Sequence, residues 1–208
     1  MSGAKLYYTT TSCGASNFTA AFIGGLSIDC EQVDLMTHKT DSGADFYTIN
    51  PKGNVPCVVL ADGTVINENV ATLNWIADQT GNSVRPAVGS SDYYKVLSHT
   101  SHVASEIHQA IGSLFNPAHD DATKAFQKNI INNKMTGLEK IIKEGEFLVN
   151  NTLSIADLYL FICLSWTAYV GVDISGFPVV VKYMEKVRDD PKVAAARDRM
   201  ATKPTTVN

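Results

Sequence analysis

The 208-residue sequence has little charge and no strong excess of either sign. Charged residues make up 18% of the chain, and 17 Lys and Arg against 21 Asp and Glu give a net charge of −4. Such a chain lacks the basic stripe on which nucleic-acid binding depends, so we expect no nucleic-acid partner. Apolar residues make up 45% of the sequence, which is enough for a buried core and excludes a disordered protein.

Long apolar runs are also missing. The first residues, MSGAKLYYTTTSC, contain no stretch as long or as apolar as a signal peptide. The most apolar segment, residues 156–172, is short for a membrane span and has Asp157 near its start, so it predicts a buried helix. We therefore expect a cytoplasmic protein without a membrane partner.

The four cysteines, at positions 13, 30, 57 and 163, form no C-x-x-C pair and no short disulfide framework. This spacing predicts reduced thiols and no metal site. Three of them lie in apolar or strand-like sequence, which is typical of buried, inert cysteines. Cys13 instead follows the polar run 9–12 and precedes a predicted helix, whose N-terminal amides and dipole favour a thiolate. Cys13 is thus the candidate for chemistry, and Ser12 is the second candidate.

The chain changes character near residue 80. Strand and helix signals alternate before this point, in the order β-α-β and then β-β-α. They predict a small α/β domain at 1–80 with two parallel strands and a final antiparallel hairpin. After a linker, helical periodicity predicts an all-helical domain at 91–208 that ends in a frayed polar tail. Its helices are expected near residues 91–115, 121–145, 154–170 and 178–200.

Two polar segments of the first domain are suited to hold a peptide-like ligand. Pro56 precedes a predicted strand and leaves the backbone groups of Val55 able to pair with an extended peptide, although an ordinary turn has the same pattern. The segment 67–69 precedes a helix whose free amides suit a carboxylate, and Glu68 suits an ammonium group. Together these groups match an α-amino-acid head group; a plain cap by one of the two flanking asparagines is the alternative.

A histidine of the helical domain lies on a face of small residues. The residues of this face recur at spacings of 3 and 4: Ser98, Ser101, Ser105, His108 and Gly112. Such a trough can admit a ligand or another helix, so His108 is a candidate functional residue, with a purely structural histidine as the alternative. Further along, Ser-Ile-Ala-Asp at 154–157 has the pattern of a helix capping box.

The order of the elements and several motifs together resemble the cytosolic glutathione S-transferases, most of all the bacterial beta class. The resemblance runs through Lys-Leu-Tyr-Tyr at 5–8, Ser-Cys at 12–13, Asn-Pro-Lys-Gly at 50–53, Val-Pro at 55–56, Ser-Glu-Ile-His at 105–108 and Ala-Asp at 156–157. It implies a thioredoxin-like α/β domain that binds glutathione, followed by an all-α domain that supplies the pocket for a second substrate. It also implies a homodimer.

The resemblance assigns roles to individual residues. The glutathione-binding residues that it implies are Val55, Pro56, Glu68, Asn69, His38 and Lys39. The valine backbone pairs with the cysteinyl unit beside a cis proline, the next two residues hold the γ-glutamyl end, and His38 or Lys39 lies near the glycine carboxylate. Cys13 sits beside the glutathione sulfur, and His108 points at it. Cys13, His108 and Ser12 are therefore the expected catalytic residues.

The chain departs from the family pattern at several of these positions. Where the family usually reads Cys-Ser-Leu-Ser-Pro-His, this chain reads Cys-Gly-Ala-Ser-Asn-Phe at 13–18. His38 and Gln109 stand where lysine is common, and Asn69 stands where serine or glycine is common. Because several of these changes remove positive or ionisable groups, we expect weaker steering of the anionic tripeptide.

The function expected from these features is conjugation of the glutathione thiolate to small apolar electrophiles, with glutathione as co-substrate. One alternative is a glutathione-dependent thiol-disulfide or reductive enzyme in which Cys13 is the nucleophile. A second alternative is a non-catalytic binder of apolar ligands on the same fold, which the missing basic residues favour.

Overall fold

The structure is a computed structural model that describes residues 3–208. The chain forms two compact units. The first contains the chain up to Pro86 together with Pro191–Asn208, and the second contains Ala87–Asp190.

The first unit is built on a five-stranded mixed sheet. Its elements are β1 (Lys5–Tyr8), α1 (Gly14–Ile23), β2 (Asp29–Asp34), β3 (Lys39–Thr40), β4 (Cys57–Val59), β5 (Val65–Asn67) and α2 (Asn69–Gln79). The strand order is β3-β2-β1-β4-β5, with β1 and β2 parallel and the other pairs antiparallel. The predicted β-α-β and β-β-α order is confirmed. The two-residue strand β3 is additional, because so short a segment has no periodicity to reveal it.

Alternating side chains of β1 place apolar groups on both faces of the sheet. Tyr8 is fully buried and packs against Phe18 of α1 with ring centroids 5.1 Å apart. Tyr7 faces the other way and packs against Phe46 at 5.5 Å, within a cluster that includes Val55. The loop that carries the Val-Pro motif is therefore anchored in the core.

The last helix, α8 (Pro191–Ala201), belongs to the first unit, whereas the sequence placed it in a helical domain at 91–208. It packs against α1 through a buried face that includes Val193 and Met200. Helical periodicity identifies such a face without showing which element covers it, so its sequence could not reveal this assignment.

The tail after α8 is ordered along β2, so the expectation of a frayed tail is wrong. The Cys30 amide donates to the Thr205 carbonyl at 2.8 Å, and the Val207 amide donates to the Ile28 carbonyl at 2.9 Å. Val207 is fully buried. The Arg199 guanidinium donates to tail carbonyls, which holds the polar segment in place.

The second unit is all-helical. Its helices are α3 (Ser91–His102), α4 (Gln109–Gly112), α5 (Asp121–Ile141), α6 (Ile155–Ser165) and α7 (Pro178–Asp189). The segment Val103–His108 between α3 and α4 is a π-helical turn, and two short 3-10 turns follow at Ser113–Phe115 and Trp166–Ala168. Over residues 3–208, no helix is both long and apolar enough to cross a membrane.

Helix α6 is the centre of the second unit, and the predicted capping box begins it. The buried Asp157 carboxylate accepts from the Ser154 amide at 2.9 Å and from the Leu148 amide at 2.9 Å. It also accepts from the Tyr183 hydroxyl at 3.1 Å. Burial raises the pKa of this carboxyl, and the hydrogen bonds to the charged form oppose the rise. One side chain thus fixes the helix start, the preceding loop and α7.

Candidate functional site

Cys13 lies immediately before α1 and is 6% exposed. Its thiol contacts the carbonyl oxygen of Val55, with Sγ and O 3.7 Å apart. Burial raises the pKa of the thiol to about 12; the amide hydrogen bonds from Cys13 and Gly14 oppose this rise, and the charge of Glu68 adds to it. The amides at the start of α1 favour the thiolate, as the sequence predicted, but desolvation outweighs them and keeps the pKa above its usual range. The raised pKa favours the protonated thiol, which can act as a hydrogen-bond donor.

Ser12 builds the turn that places Cys13. Its hydroxyl donates to the Thr9 carbonyl at 3.0 Å and accepts from the Gly14 amide at 3.1 Å. A Cβ at Gly14 would lie only 3.1 Å from Cβ of Tyr8, so glycine permits the close approach of α1 to β1. A catalytic role for Ser12 stays a prediction, and its observed role is in this turn.

The Val55–Pro56 peptide bond is cis, as the resemblance implied. Asn50 shapes the loop before it: its side-chain amide donates to the Asn54 carbonyl at 2.8 Å and its Oδ1 accepts from Asn67 at 3.1 Å. The Val55 amide donates to no acceptor among residues 3–208. A backbone donor next to the Cys13 thiol is thus left for an extended ligand, as the sequence predicted for this segment.

Glu68 ends the loop before α2 with a left-handed φ of 73° and carries no side-chain helix cap. The alternative of a plain helix cap by a flanking asparagine is therefore not observed. The exposed carboxylate forms an ion pair with Lys52, with Nζ and Oε1 2.8 Å apart, and the same Nζ lies 3.2 Å from Oδ1 of Asn67. Glu68 is accessible to a ligand ammonium, which would replace or join Lys52 there.

Asn69 is the first residue of α2 and points its side chain inward. Its Nδ2 donates to Ser16 Oγ at 3.3 Å, and its Oδ1 accepts from Asn17. Ser16 in turn donates to the Cys13 carbonyl at 2.6 Å. Asn69, the predicted glutamyl-binding residue, is thus connected through Ser16 to the turn that carries Cys13. The backbone amide of Asn69 donates to no acceptor among residues 3–208 and is available to a ligand.

His38 and Lys39 lie at the start of β3, before the loop that leads to Val55 and Pro56. The His38 ring packs on Tyr47 with centroids 4.5 Å apart, and its Nδ1 is buried without a hydrogen-bond partner among residues 3–208. A Cβ at Gly53 would lie 3.1 Å from this Nδ1, so the ring borders the Asn-Pro-Lys-Gly segment. Lys39 is exposed in β3, and its backbone bridges to Asp45.

In the second unit, His108 ends the π-helical turn, a rare element that is frequent at functional sites. Its Nδ1 lies 2.6 Å from the hydroxyl of Tyr159, and its ring packs edge-on against Trp166 at 4.9 Å. Gly112 lies next to the ring, and a Cβ there would be in ordinary contact with Cδ2 of His108 at 3.4 Å. The imidazole is therefore held in one orientation at the partly exposed edge of this unit.

Comparison with known proteins identifies the family. A family model for the glutathione S-transferase C-terminal domain matches residues 105–198. The curated relative GstA, a glutathione S-transferase of Escherichia coli O157:H7, is 28% identical over 193 residues, which cover 92% of this chain and 96% of the relative. A solved sphingomonad glutathione S-transferase complexed with glutathione is 37% identical, with a TM-score of 0.86, and the match covers 93% of this chain and 97% of that one. This chain belongs to the glutathione S-transferase family.

The likeness extends to the class that the sequence resembled. A bacterial beta-class glutathione S-transferase from Sphingomonas chungbukensis is 34% identical, with a TM-score of 0.86 and coverage of 93% of this chain and 97% of that one. The predicted glutathione S-transferase fold, with a thioredoxin-like unit and a helical unit, is confirmed. Within residues 3–208 of this transferase, no group of three or more His, Cys, Asp or Glu side chains is placed to hold a metal ion.

Three residues that contact the candidate residues were not predicted from the sequence. Lys52 was read only as part of a motif, although it pairs with Glu68. Tyr159, which orients His108, lies in an apolar helix that predicted only a core role. Asn17 was noted only as a departure from the family pattern. The polar side chain of Asn17 at a position where the resembled family has proline was the one sequence signal of its role.

Proposed function

We propose that this transferase binds glutathione on its first unit and conjugates the glutathione sulfur to small apolar electrophiles. The observation that carries the proposal is the buried Cys13 thiol at the start of α1, which contacts the carbonyl oxygen of Val55 and whose pKa burial raises. A neutral thiol can donate a hydrogen bond to the sulfur of a bound ligand and so stabilise its thiolate form.

The polar groups around Cys13 suit the parts of glutathione in order. The Val55 amide is available to the cysteinyl carbonyl beside cis Pro56. Glu68 can hold the γ-glutamyl ammonium, and the Asn69 amide at the start of α2 can hold its carboxylate. For the glycine carboxylate we propose His38 and Lys39, which lie beyond the same loop.

The proposed reaction forms one sulfur–carbon bond. The glutathione thiol releases its proton to solvent, and a sulfur lone pair attacks the electrophilic carbon. With an aryl halide, the carbon–halogen bond then breaks and the halide leaves with the electron pair. Cys13 and, as a second candidate, Ser12 stabilise the thiolate. We propose that His108 assists the same reaction, because Tyr159 fixes the orientation of its ring.

The pKa of Cys13 argues against a reductive role. A thiol-disulfide enzyme needs a thiolate nucleophile at Cys13, and burial raises the pKa of this thiol to about 12. No charged partner in the described chain lowers it. We therefore place conjugation ahead of disulfide reduction and of passive ligand binding.

We further propose that the protein is a cytoplasmic homodimer without a metal cofactor or a nucleic-acid partner. All four cysteines are free, as is typical of a reducing compartment. Large apolar side chains are exposed on each unit, including Met36 on the first and Phe126 and Tyr169 on the second. Such residues are typical of surfaces that a second subunit covers. Light scattering at micromolar concentration tests the dimer, and a monomeric mass would contradict it.

The experiment measures glutathione affinity by calorimetry and conjugation of a chloronitrobenzene by absorbance. We expect the wild type to bind glutathione and to form the conjugate, and Cys13→Ala to retain part of the conjugation while losing any disulfide reduction. Cys57→Ala, which removes a buried thiol of β4, is the matched control and should leave the reaction unchanged. A wild type that neither binds glutathione nor reacts would favour the passive binder. Disulfide reduction faster than conjugation, together with a glutathione adduct on Cys13 by intact mass, would favour the reductive enzyme.

A further inference from the structure

Three buried polar side chains connect the two helix starts of the proposed site. Asn17 donates to Asn69, Asn69 donates to Ser16, and Ser16 donates to the carbonyl of Cys13. Asn17 and Ser16 are fully buried and Asn69 is 6% exposed. The turn that carries Cys13 is thereby tied to the first residue of α2, which directly follows Glu68.

The network is retained at a cost in stability. Oδ1 of Asn17 is buried and accepts no hydrogen bond from residues 3–208, and an unpaired buried carbonyl is unfavourable. Apolar side chains at both positions would join α1 and α2 without this loss. A buried polar network with an unpaired acceptor needs an explanation other than stability. Its location between Cys13 and Glu68 indicates that it fixes the distance between these two residues.

The two asparagines join α1 to α2 directly. The Asn17 side-chain amide donates to Oδ1 of Asn69. Because the Asn69 side chain bonds to α1, only the backbone amide of Asn69 is available to bind a ligand.

We propose that Asn17, Asn69 and Ser16 are positioning residues that fix the separation between Cys13 and Glu68, and that they thereby select γ-glutamyl over shorter thiol peptides. This inference rests on the proposed glutathione binding. The ligand sulfur and the ligand ammonium are held by two different helix starts, so a fixed separation favours one ligand length. A β-aspartyl peptide, shorter by one methylene, cannot satisfy both ends.

The test compares kcat/KM for glutathione with kcat/KM for its β-aspartyl analogue in conjugation of a chloronitrobenzene. A single methylene supports discrimination of about 10–200-fold. We expect Asn69→Ala, which removes the contacts with both Asn17 and Ser16, to reduce this ratio on the order of tenfold, and Asn17→Ala, which leaves the Asn69–Ser16–Cys13 links in place, to reduce it less. The double variant should reduce it little further than Asn69→Ala, because Asn69 takes part in both contacts.

The matched control is Thr19→Val. Thr19 is buried on α1 and donates to the Ala15 carbonyl at 2.9 Å, so its substitution changes α1 outside the hydrogen bonds of Asn17, Asn69 and Ser16. We expect Thr19→Val to keep the wild-type ratio of kcat/KM for the two peptides, even where it lowers the free energy of unfolding as much as the asparagine variants do. A general destabilisation would instead change the ratio in all variants alike.

Should Asn69→Ala fail to fold, Ser16→Ala breaks the same chain of hydrogen bonds with a smaller change and must reduce the ratio as well. An unchanged ratio in an active enzyme, or fully additive losses in the double variant, overturns the positioning role and leaves the proposed function intact. A wild type that neither binds nor conjugates glutathione overturns both, so the two failures are distinguishable.

Discussion

The alkylation of Cys13 should be slow at neutral pH and should rise steadily well beyond it. With a pKa of about 12, about one Cys13 thiol in ten thousand is ionised at pH 8, by the ordinary titration relation. An unperturbed cysteine, with a pKa near 8.5, is about one quarter ionised at the same pH. Since the thiolate is the reactive form, the folded protein should react roughly a thousandfold more slowly than an exposed thiol.

Iodoacetamide labelling followed by peptide mapping measures this rate for each cysteine separately. Between pH 7 and pH 10 we expect the Cys13 rate to increase about tenfold per pH unit without a plateau. The chain unfolded in urea provides the reference, because burial no longer raises any thiol pKa there. Cys57 is an internal control, since burial raises its pKa to about 11 without a helix start beside it.

The reasoning is refuted by a plateau in the Cys13 rate below pH 8. Such a plateau would mean that the amides at the start of α1 stabilise the thiolate more than burial disfavours it. Cys13 would then be a competent nucleophile, and the reductive alternative would replace conjugation as the leading function.

Three further substitutions test other parts of the structure. Asp157→Ala removes the acceptor of several buried donors and should lower the free energy of unfolding in urea by about 3–5 kcal/mol. Gly53→Ala combines a left-handed φ of 67° with a Cβ only 2.5 Å from the Tyr47 ring and should cost about 1–3 kcal/mol by the same measurement. Tyr159→Phe removes the hydroxyl that orients His108 and should lower kcat for conjugation about tenfold while changing the KM for glutathione little.

Each substitution has a matched control. Asp173→Ala removes an exposed carboxylate and should leave the free energy of unfolding in urea close to that of the wild type. Gly43→Ala has the same left-handed backbone but open space around the new Cβ, so a loss as large as that of Gly53→Ala would contradict the steric argument. Tyr94→Phe alters an exposed ring and should leave kcat unchanged.

Local patterns in the sequence predicted much of the fold and part of the site. The strand and helix order of the first unit, the capping box at 154–157 and the cis bond before Pro56 were all expected. Each depends on residues that are close in the chain or on a motif carried by the resemblance.

The remaining features depend on residues far apart in the chain. The pairing of Lys52 with Glu68, and of Asn17 with Asn69, joins segments that no periodicity relates. The helix at 191–201 shows an apolar face in its sequence, but only the structure shows that α1 covers it.

The sequence by itself determined the family, the order of the elements and the position of Cys13 at a helix start, because these follow from local chemistry and motif spacing. The tertiary structure decided the direction in which the pKa of that cysteine shifts. A helix start lowers a thiol pKa and burial raises it, and burial depends on segments far away in the chain, such as that of Val55, whose carbonyl oxygen the Cys13 thiol contacts.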